Sequence, residues 1–329
     1  MLDGIIMFSG GLDSTIVAHL LKSMGLNIKA LHFVLPFYSG INCTHKQIRD
    51  YASQLDIPIQ IEEEGEEYIE MIRNPHFGFG KNANPCVDCR IHRLAKAKRI
   101  MENEGASFIA TGEVAGQRPM SQGYNTLQAI ENRAGVKGLL VRPLSAKLLD
   151  PSQAELKGII NREKLFSWSG RGRLPQLEYA KRFNLKHAPP AGGCLLTTIG
   201  SAKRFHEFIE HTPDYHLNDF KLLAYGRHFR INSKSKFIVA RNEAENYIML
   251  KLLAPYDCYL QMVDSLGPIG TIRGYYSEEE LHTCSSILCR FSKEREKTNV
   301  RIALMNGESA VKVFTVTPAN DDFCEKIRI

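Results

Sequence analysis

The first half of the chain alternates short apolar runs with helical periodicity, a pattern that admits few folds beyond a parallel sheet wrapped by crossover helices. Gly4 to Phe8 reads as a first strand. Asp13 to Met24 follows as a helix with Ile16, Val17, Leu20 and Leu21 on one face. Ile28 to Val34 is a second strand, apolar nearly throughout, as a strand covered on both faces should be. Thr44 caps a helix to about Leu55, and Arg90 to Asn103 forms another. Strands at Ile57 to Ile61, Ser107 to Ala110 and Gly138 to Val141 complete the set. The expected fold class is α/β, a doubly wound parallel sheet.

Beyond residue 150 the pattern changes twice. Helices are expected at Ser152 to Leu165, Leu174 to Phe183 and Ser201 to His211, the last stopped by Thr212-Pro213. From Tyr225 onward strands return at Phe237 to Ala240 and Cys258 to Val263, with a helix from Ser277 to Phe291. A closing hairpin pairs Val300 to Met305 with Ala310 to Val316 around Asn306-Gly307. This second, smaller domain is α+β. The expected domains are residues 1–212 and 213–329.

Ser9-Gly10-Gly11-Leu12-Asp13-Ser14 stands where the first strand meets the first helix. Two glycines let the backbone turn sharply, and the unpaired amides of a helix start point at an anion. Pyrophosphate suits such a loop. Ser9 and Ser14 add hydroxyl donors, and Asp13 offers a hard carboxylate oxygen to Mg2+. No lysine of the GxxxxGK[ST] kind is present, so γ-phosphate transfer is not implied.

The remaining chemistry lies in cysteines and cations. With 43% hydrophobic and 24% charged residues the chain is neither disordered nor membrane-spanning in composition, and the opening Met-Leu-Asp-Gly leaves no space for a signal peptide. A cytoplasmic protein is expected, which makes a disulfide framework from eight cysteines improbable on chemical grounds. Cys86 and Cys89 form a C-x-x-C ahead of a helix, and Cys194 follows Ala191-Gly192-Gly193. Three thiolates with His92 would suit zinc; three alone on a [4Fe-4S] cluster leave one iron open. A redox or packing pair is the plainer reading. Cys43, Cys258, Cys284, Cys289 and Cys324 read as core or incidental thiols. The glutamates Glu62, Glu63, Glu64, Glu66 and Glu67 read as a solvated face. The net charge of +6 arises in residues 151–250, where Lys and Arg outnumber Asp and Glu 16 to 9. That excess suits a polyanion or an ordinary surface. Arg90, Arg93, Lys96 and Arg99 make one basic helix face, continued by Arg171, Arg173, Lys181, Arg182 and Lys186.

The complete SGGxDS loop resembles that of the PP-loop ATP pyrophosphatases, of adenine nucleotide alpha hydrolase-like fold. The resemblance implies cleavage of ATP between its α and β phosphates, with Ser9, Gly10, Gly11, Asp13 and Ser14 on the phosphates. It implies adenine near Leu31, His32 and Phe33, and a second nucleotide contact at Thr111-Gly112-Glu113. Together with Cys86, Cys89 and Cys194, and with Val141-Arg142-Pro143-Leu144, the chain looks most like the tRNA thiolation branch, the 4-thiouridine and 2-thiouridine synthetases.

That likeness implies an ATP-dependent tRNA sulfurtransferase in which Asp13, Cys86, Cys89 and Cys194 are catalytic. Its expected cofactors are ATP, Mg2+ and a [4Fe-4S] cluster on the three cysteines, with zinc as the alternative. Its partners are tRNA and a sulfur donor, sulfide or a persulfide carrier, with no membrane. Gly226 to Arg230, Val239 to Asn246 and Asp264 to Pro268 resemble the NFACT-R RNA-binding domain. Two alternatives stay open: amidation or small-molecule sulfur transfer on the same fold, and a non-catalytic RNA-binding protein. A persulfide on Cys194 or Cys89 is the alternative to the cluster.

Overall fold

The computed structural model describes residues 1–36, 45–189, 194–254 and 257–329. Thr44, Cys43 and the Ala191-Gly192-Gly193 approach to Cys194 lie outside the described residues. The chain forms two compact units, Met1–Cys194 and Leu195–Ile329.

In the first unit the expected strands and helices form in order. β1 (Gly4–Met7), α1 (Leu12–Ser23), β2 (Ile28–Val34), α2 (His45–Ser53) and β3 (Ile59–Glu63) lead. α3 (Glu66–Arg73), α4 (Cys86–Asn103), β4 (Phe108–Thr111), α5 (Tyr124–Ala134) and β5 (Leu140–Val141) follow, then α6 (Gln153–Leu156) and α7 (Leu174–Arg182). The sheet is parallel, ordered β3-β2-β1-β4-β5. Strand alternation sends Ile6 to one face, where Ile16, Val17, Leu21 and Ala180 pack, and Ile5 to the other, against Val87, Leu94, Ala97 and Ile130. Both faces are covered, as in a doubly wound sheet.

One expected helix breaks. Ser152 to Leu165 is helical only over α6, capped by a reciprocal Ser152–Glu155 pair. Gly158 then turns to φ +73, which ends the helix before the Arg162–Lys164 3-10 turn.

The second unit holds α8 (Ile199–His211), α9 (Leu217–Leu222), β6 (Arg227–Asn232), β7 (Ser235–Val239), α10 (Glu243–Leu252) and β8 (Cys258–Met262). β9 (Gly270–Gly274), α11 (Glu278–Arg290), β10 (Val300–Asn306), β11 (Ser309–Val316) and α12 (Asp321–Lys326) close it. Its antiparallel sheet runs β11-β10-β8-β9-β7-β6. The closing hairpin turns at Gly307-Glu308, since Asn306 already pairs with Ser309. The division of the chain falls ahead of the residue-212 boundary read from the sequence, because α8 belongs to the second core. Phe208 of α8 packs edge-on against Phe220 at 4.7 Å, and Glu207 bonds Arg230 and Lys236.

Candidate nucleotide and thiol site

Gly10 turns the chain at φ +70, and its carbonyl accepts the Ala188 amide at 2.7 Å. α1 then begins at Leu12 with Gly11 as N-cap and no side chain on its first amides. The helix start therefore keeps donors for an anion. The Ser9 and Ser14 hydroxyls lie 3.2 Å apart, and Ser14 Oγ donates to the Gly11 carbonyl. A Cβ on Gly112 would stand 2.7 Å from the Ser14 amide nitrogen, so the strand end Thr111-Gly112 lies directly on the loop.

Asp13 is held from one side. Gln117 Nε2 donates to its Oδ2 at 3.1 Å, while the buried Oδ1 has no partner among the described residues. Burial pushes its carboxyl up; the Gln117 bond and the charges of Arg173, Arg118 and His187 oppose that. A bare carboxylate oxygen beside uncapped amides fits a hard cation bridging to phosphate.

A cavity of about 370 Å³ opens here. Its lining includes Ser9, Gly11, Asp13, Ser14, Leu31, His32, Phe33, Thr111 and Gly112, together with Arg90, Arg93, Arg118 and Arg173. His32 Nδ1 donates to the Phe8 carbonyl at 2.8 Å, and burial depresses its pKa. Of the residues expected around adenine and phosphate, all but Gly10 line this one cavity.

The C-x-x-C is the first turn of α4 rather than a segment ahead of it. Pro85 at the N-cap supplies no side-chain cap, and the thiols find their own donors. Asn84 Nδ2 donates to Cys86 Sγ at 3.3 Å and Tyr68 Oη to Cys89 Sγ at 3.1 Å. Cys194 is half-buried, and its charge acts on the same two groups as Cys89: both raise Tyr68, itself already raised by burial, and both support Arg93. Arg93 is half-buried, and Cys89, Tyr68, Glu64 and Cys194 together keep its guanidinium charged against that desolvation. Among the described residues, however, no group of three His, Cys, Asp or Glu is gathered to hold a metal.

Three readings change here. His92 serves Glu64 at 3.1 Å rather than a thiol, with Lys96 on the same oxygen at 2.8 Å. Glu64 is 3% exposed, not part of a solvated face, and these two cations hold its carboxyl low against its burial. The basic stripe is mostly spent inside the unit: Arg90 pairs with Glu113, Arg93 lines the cavity, Lys96 takes Glu64, and Arg99 alone of the four is exposed. Glu113 also binds Arg142 Nε at 2.6 Å, which ties the Thr111-Gly112-Glu113 segment to Val141-Arg142 in one buried network. Cys284, Cys289 and Cys324 are buried core thiols, with burial raising each. Cys258 packs at the core's margin.

Residues 4–135 match the tRNA methyl transferase HUP domain family, and residues 226–327 match the NFACT protein RNA binding domain family. The chain thus carries a segment similar to a HUP domain and one similar to an NFACT RNA binding domain. The HUP segment is similar to tRNA-specific 2-thiouridylase MnmA of Syntrophotalea carbinolica, 29% identical over 120 residues, 34% of either chain. It is 28% identical over 125 residues to the enzyme of that name from Petrotoga mobilis, covering 33% of this chain and 34% of that one. The chain spans about a third of the length of these curated relatives. Among solved structures, the U34-tRNA thiolase NcsA from Methanococcus maripaludis with its [4Fe-4S] cluster aligns at TM-score 0.33 and 16% identity. That alignment covers 68% of this chain and 69% of that one. The C-terminal of the fibronectin/fibrinogen-binding protein from Streptococcus suis aligns at 0.28 and 15%, covering 73% and 99%. At such TM-scores neither likeness decides anything. No helix among the described residues is long and apolar enough to cross a membrane.

Proposed function

We propose that the protein is an ATP-dependent tRNA sulfurtransferase, which adenylates a uridine carbonyl oxygen and replaces that oxygen with sulfur. The observation that supports this is the shared cavity, lined both by Ser9 to Ser14 of the glycine loop, Gly10 excepted, and by Arg90 and Arg93 of the cysteine-bearing α4. A uracil oxygen is a poor leaving group. Its attack on the α-phosphorus of ATP expels pyrophosphate, and the oxygen later departs on AMP as sulfur bonds to the ring carbon. The α1 amides, Ser9 and Ser14 would bind the phosphates, and Arg93, Arg118 and Arg173 would offset the charge growing on pyrophosphate. Asp13 Oδ1 would hold Mg2+, which supplies further charge neutralisation.

Cys86, Cys89 and Cys194 would hold a [4Fe-4S] cluster, whose open iron would supply a site for inorganic sulfide. A second reading rests on Cys89 and Cys194 both acting electrostatically on Tyr68 and Arg93: in it, one thiol carries a persulfide. Its outer sulfur bonds to the ring carbon; the other thiol then breaks the S–S bond, leaving a disulfide that a cellular thiol must reduce.

Two measurements test the proposal. Nucleoside mass spectrometry of tRNA from cells lacking the protein should lose one thiouridine; an unchanged nucleoside set would move the chemistry to another acceptor, such as an amidated or thiolated small molecule. Protein purified without oxygen should be brown, with about four irons per chain and less in each Cys→Ala variant. Colourless, iron-free protein with a trappable persulfide would select the second reading.

A further inference from the structure

The C-terminal unit concentrates arginines at one corner of its sheet. Arg227 opens β6, Arg241 follows β7, Arg204 comes from α8, and Arg328 comes from the segment that extends the sheet beyond β6, where Phe229 bridges Arg328 and the Ile329 amide donates to the His228 carbonyl at 3.0 Å. Their charges act on one another. Burial first, and then Arg241 and Arg328, weaken the hold of Arg204 and of Arg227 on their protons. Two carboxylates enter the corner and both are committed: Glu245 to Arg241 and the Gly226 amide, Glu325 to Arg328.

Four guanidiniums against two carboxylates is an arrangement that folding alone would not favour. One donor is left over. Arg204 Nη1 reaches the Leu223 carbonyl at 3.2 Å, but its buried Nε has no partner among the described residues. Arg227 lies over the Phe291 ring at 4.9 Å with one long bond to the Ala240 carbonyl. The corner grades from half-buried Arg204 to Arg241 and Arg328, whose side chains are 40% and 42% exposed. An open, graded cationic corner suits a chain of phosphates passing over it better than an enclosed single anion. Arg227 and Arg241 lie inside the segment that matches the NFACT family, and Arg204 and Arg328 lie outside it.

We propose that Arg204, Arg227, Arg241 and Arg328 form a phosphate-backbone grip for the RNA substrate. The proposal rests on the reading that this protein acts on tRNA. It is tested with the full chain and an unmodified tRNA transcript, by titration between about 50 and 200 mM salt. Arg328→Gln, whose partner Glu325 is exposed, and the double variant Arg241→Gln with Glu245→Gln, which leaves no buried carboxylate unpaired, should each weaken binding about five-fold at physiological salt, and Arg328→Gln should lower the salt slope by about 1. Arg295→Gln, an exposed charge loss elsewhere in the unit, should change neither. Wild-type affinity and slope in both corner variants would overturn the grip while leaving the tRNA reading in place. A wild-type chain that binds no tRNA at the lowest salt would overturn both. Inorganic phosphate that raises the melting temperature of wild type but not of the variants, with tRNA affinity unmoved, would make the corner a free-anion site and overturn the RNA assignment.

Discussion

Asp13 carries a buried carboxylate oxygen that nothing among the described residues satisfies. An acid whose folded pKa is raised disfavours the folded state at neutral pH, so Asp13→Asn relieves a cost while removing the charge that would face Mg2+. Pyrophosphate release should fall by about 100-fold or more while the melting temperature holds or rises. A variant that melts lower yet keeps its turnover would make Asp13 a structural residue. The loop residues were legible in the sequence because a phosphate loop is built from six consecutive positions at one strand–helix junction. Tyr68 and Glu64 gave no signal. Each acts on α4 from a different element, and a helix seen only as a sequence cannot show what faces it.

α4 shows what periodicity does and does not tell. Its basic stripe is real as a pattern, yet Arg90, Arg93 and Lys96 meet Glu113, the cavity and Glu64 rather than solvent. The seam between α8 and the β6–β7 pair carries a similar hidden load. His228 is buried, and burial, Lys236, Arg204 and Arg241 together push its pKa well below its ordinary value, outweighing its bond to the Tyr225 carbonyl. Below about pH 6.5 the unfolded chain takes a proton that folded His228 refuses, so this group makes stability fall with acidification, by up to about 1.4 kcal/mol per pH unit. The C-terminal transition in calorimetry should weaken from about pH 7 to 5, and His228→Gln, which keeps a donor for Tyr225, should flatten that limb. Equal acid sensitivity in the variant would assign it to other groups. Lys236, pushed down to about 8 chiefly by burial against the pull of Glu207, acts in the same sense at higher pH, since the unfolded chain holds its proton longer.

For the whole molecule the division at 194/195 has a direct consequence. A fragment of residues 195–329 retains Phe205, Phe208 and Glu207, and should unfold cooperatively. A fragment of residues 213–329, cut at the boundary the sequence suggested, exposes the face that Phe205 and Phe208 cover and leaves Lys236 buried without Glu207. It should show no cooperative melt by circular dichroism; equal melts for the two fragments would return the boundary to residue 212. Thr212-Pro213 does end a helix, but a helix end marks a domain boundary only if the helix packs backward along the chain, and α8 packs forward.

The sequence by itself determined the parallel sheet, the glycine loop at its first strand–helix junction and the C-x-x-C turn, because each is written in local terms: alternation of apolar runs, glycines at a strand end, cysteines three apart on one helical turn. Tertiary structure decided which charges are spent and which remain. Glu113 with Arg142, Glu64 with His92, and the arginine corner drawn from α8, β6, the end of β7 and the segment after α12 join residues far apart in the chain. Coulomb and desolvation energies depend on distances in space, which spacing along the chain does not encode.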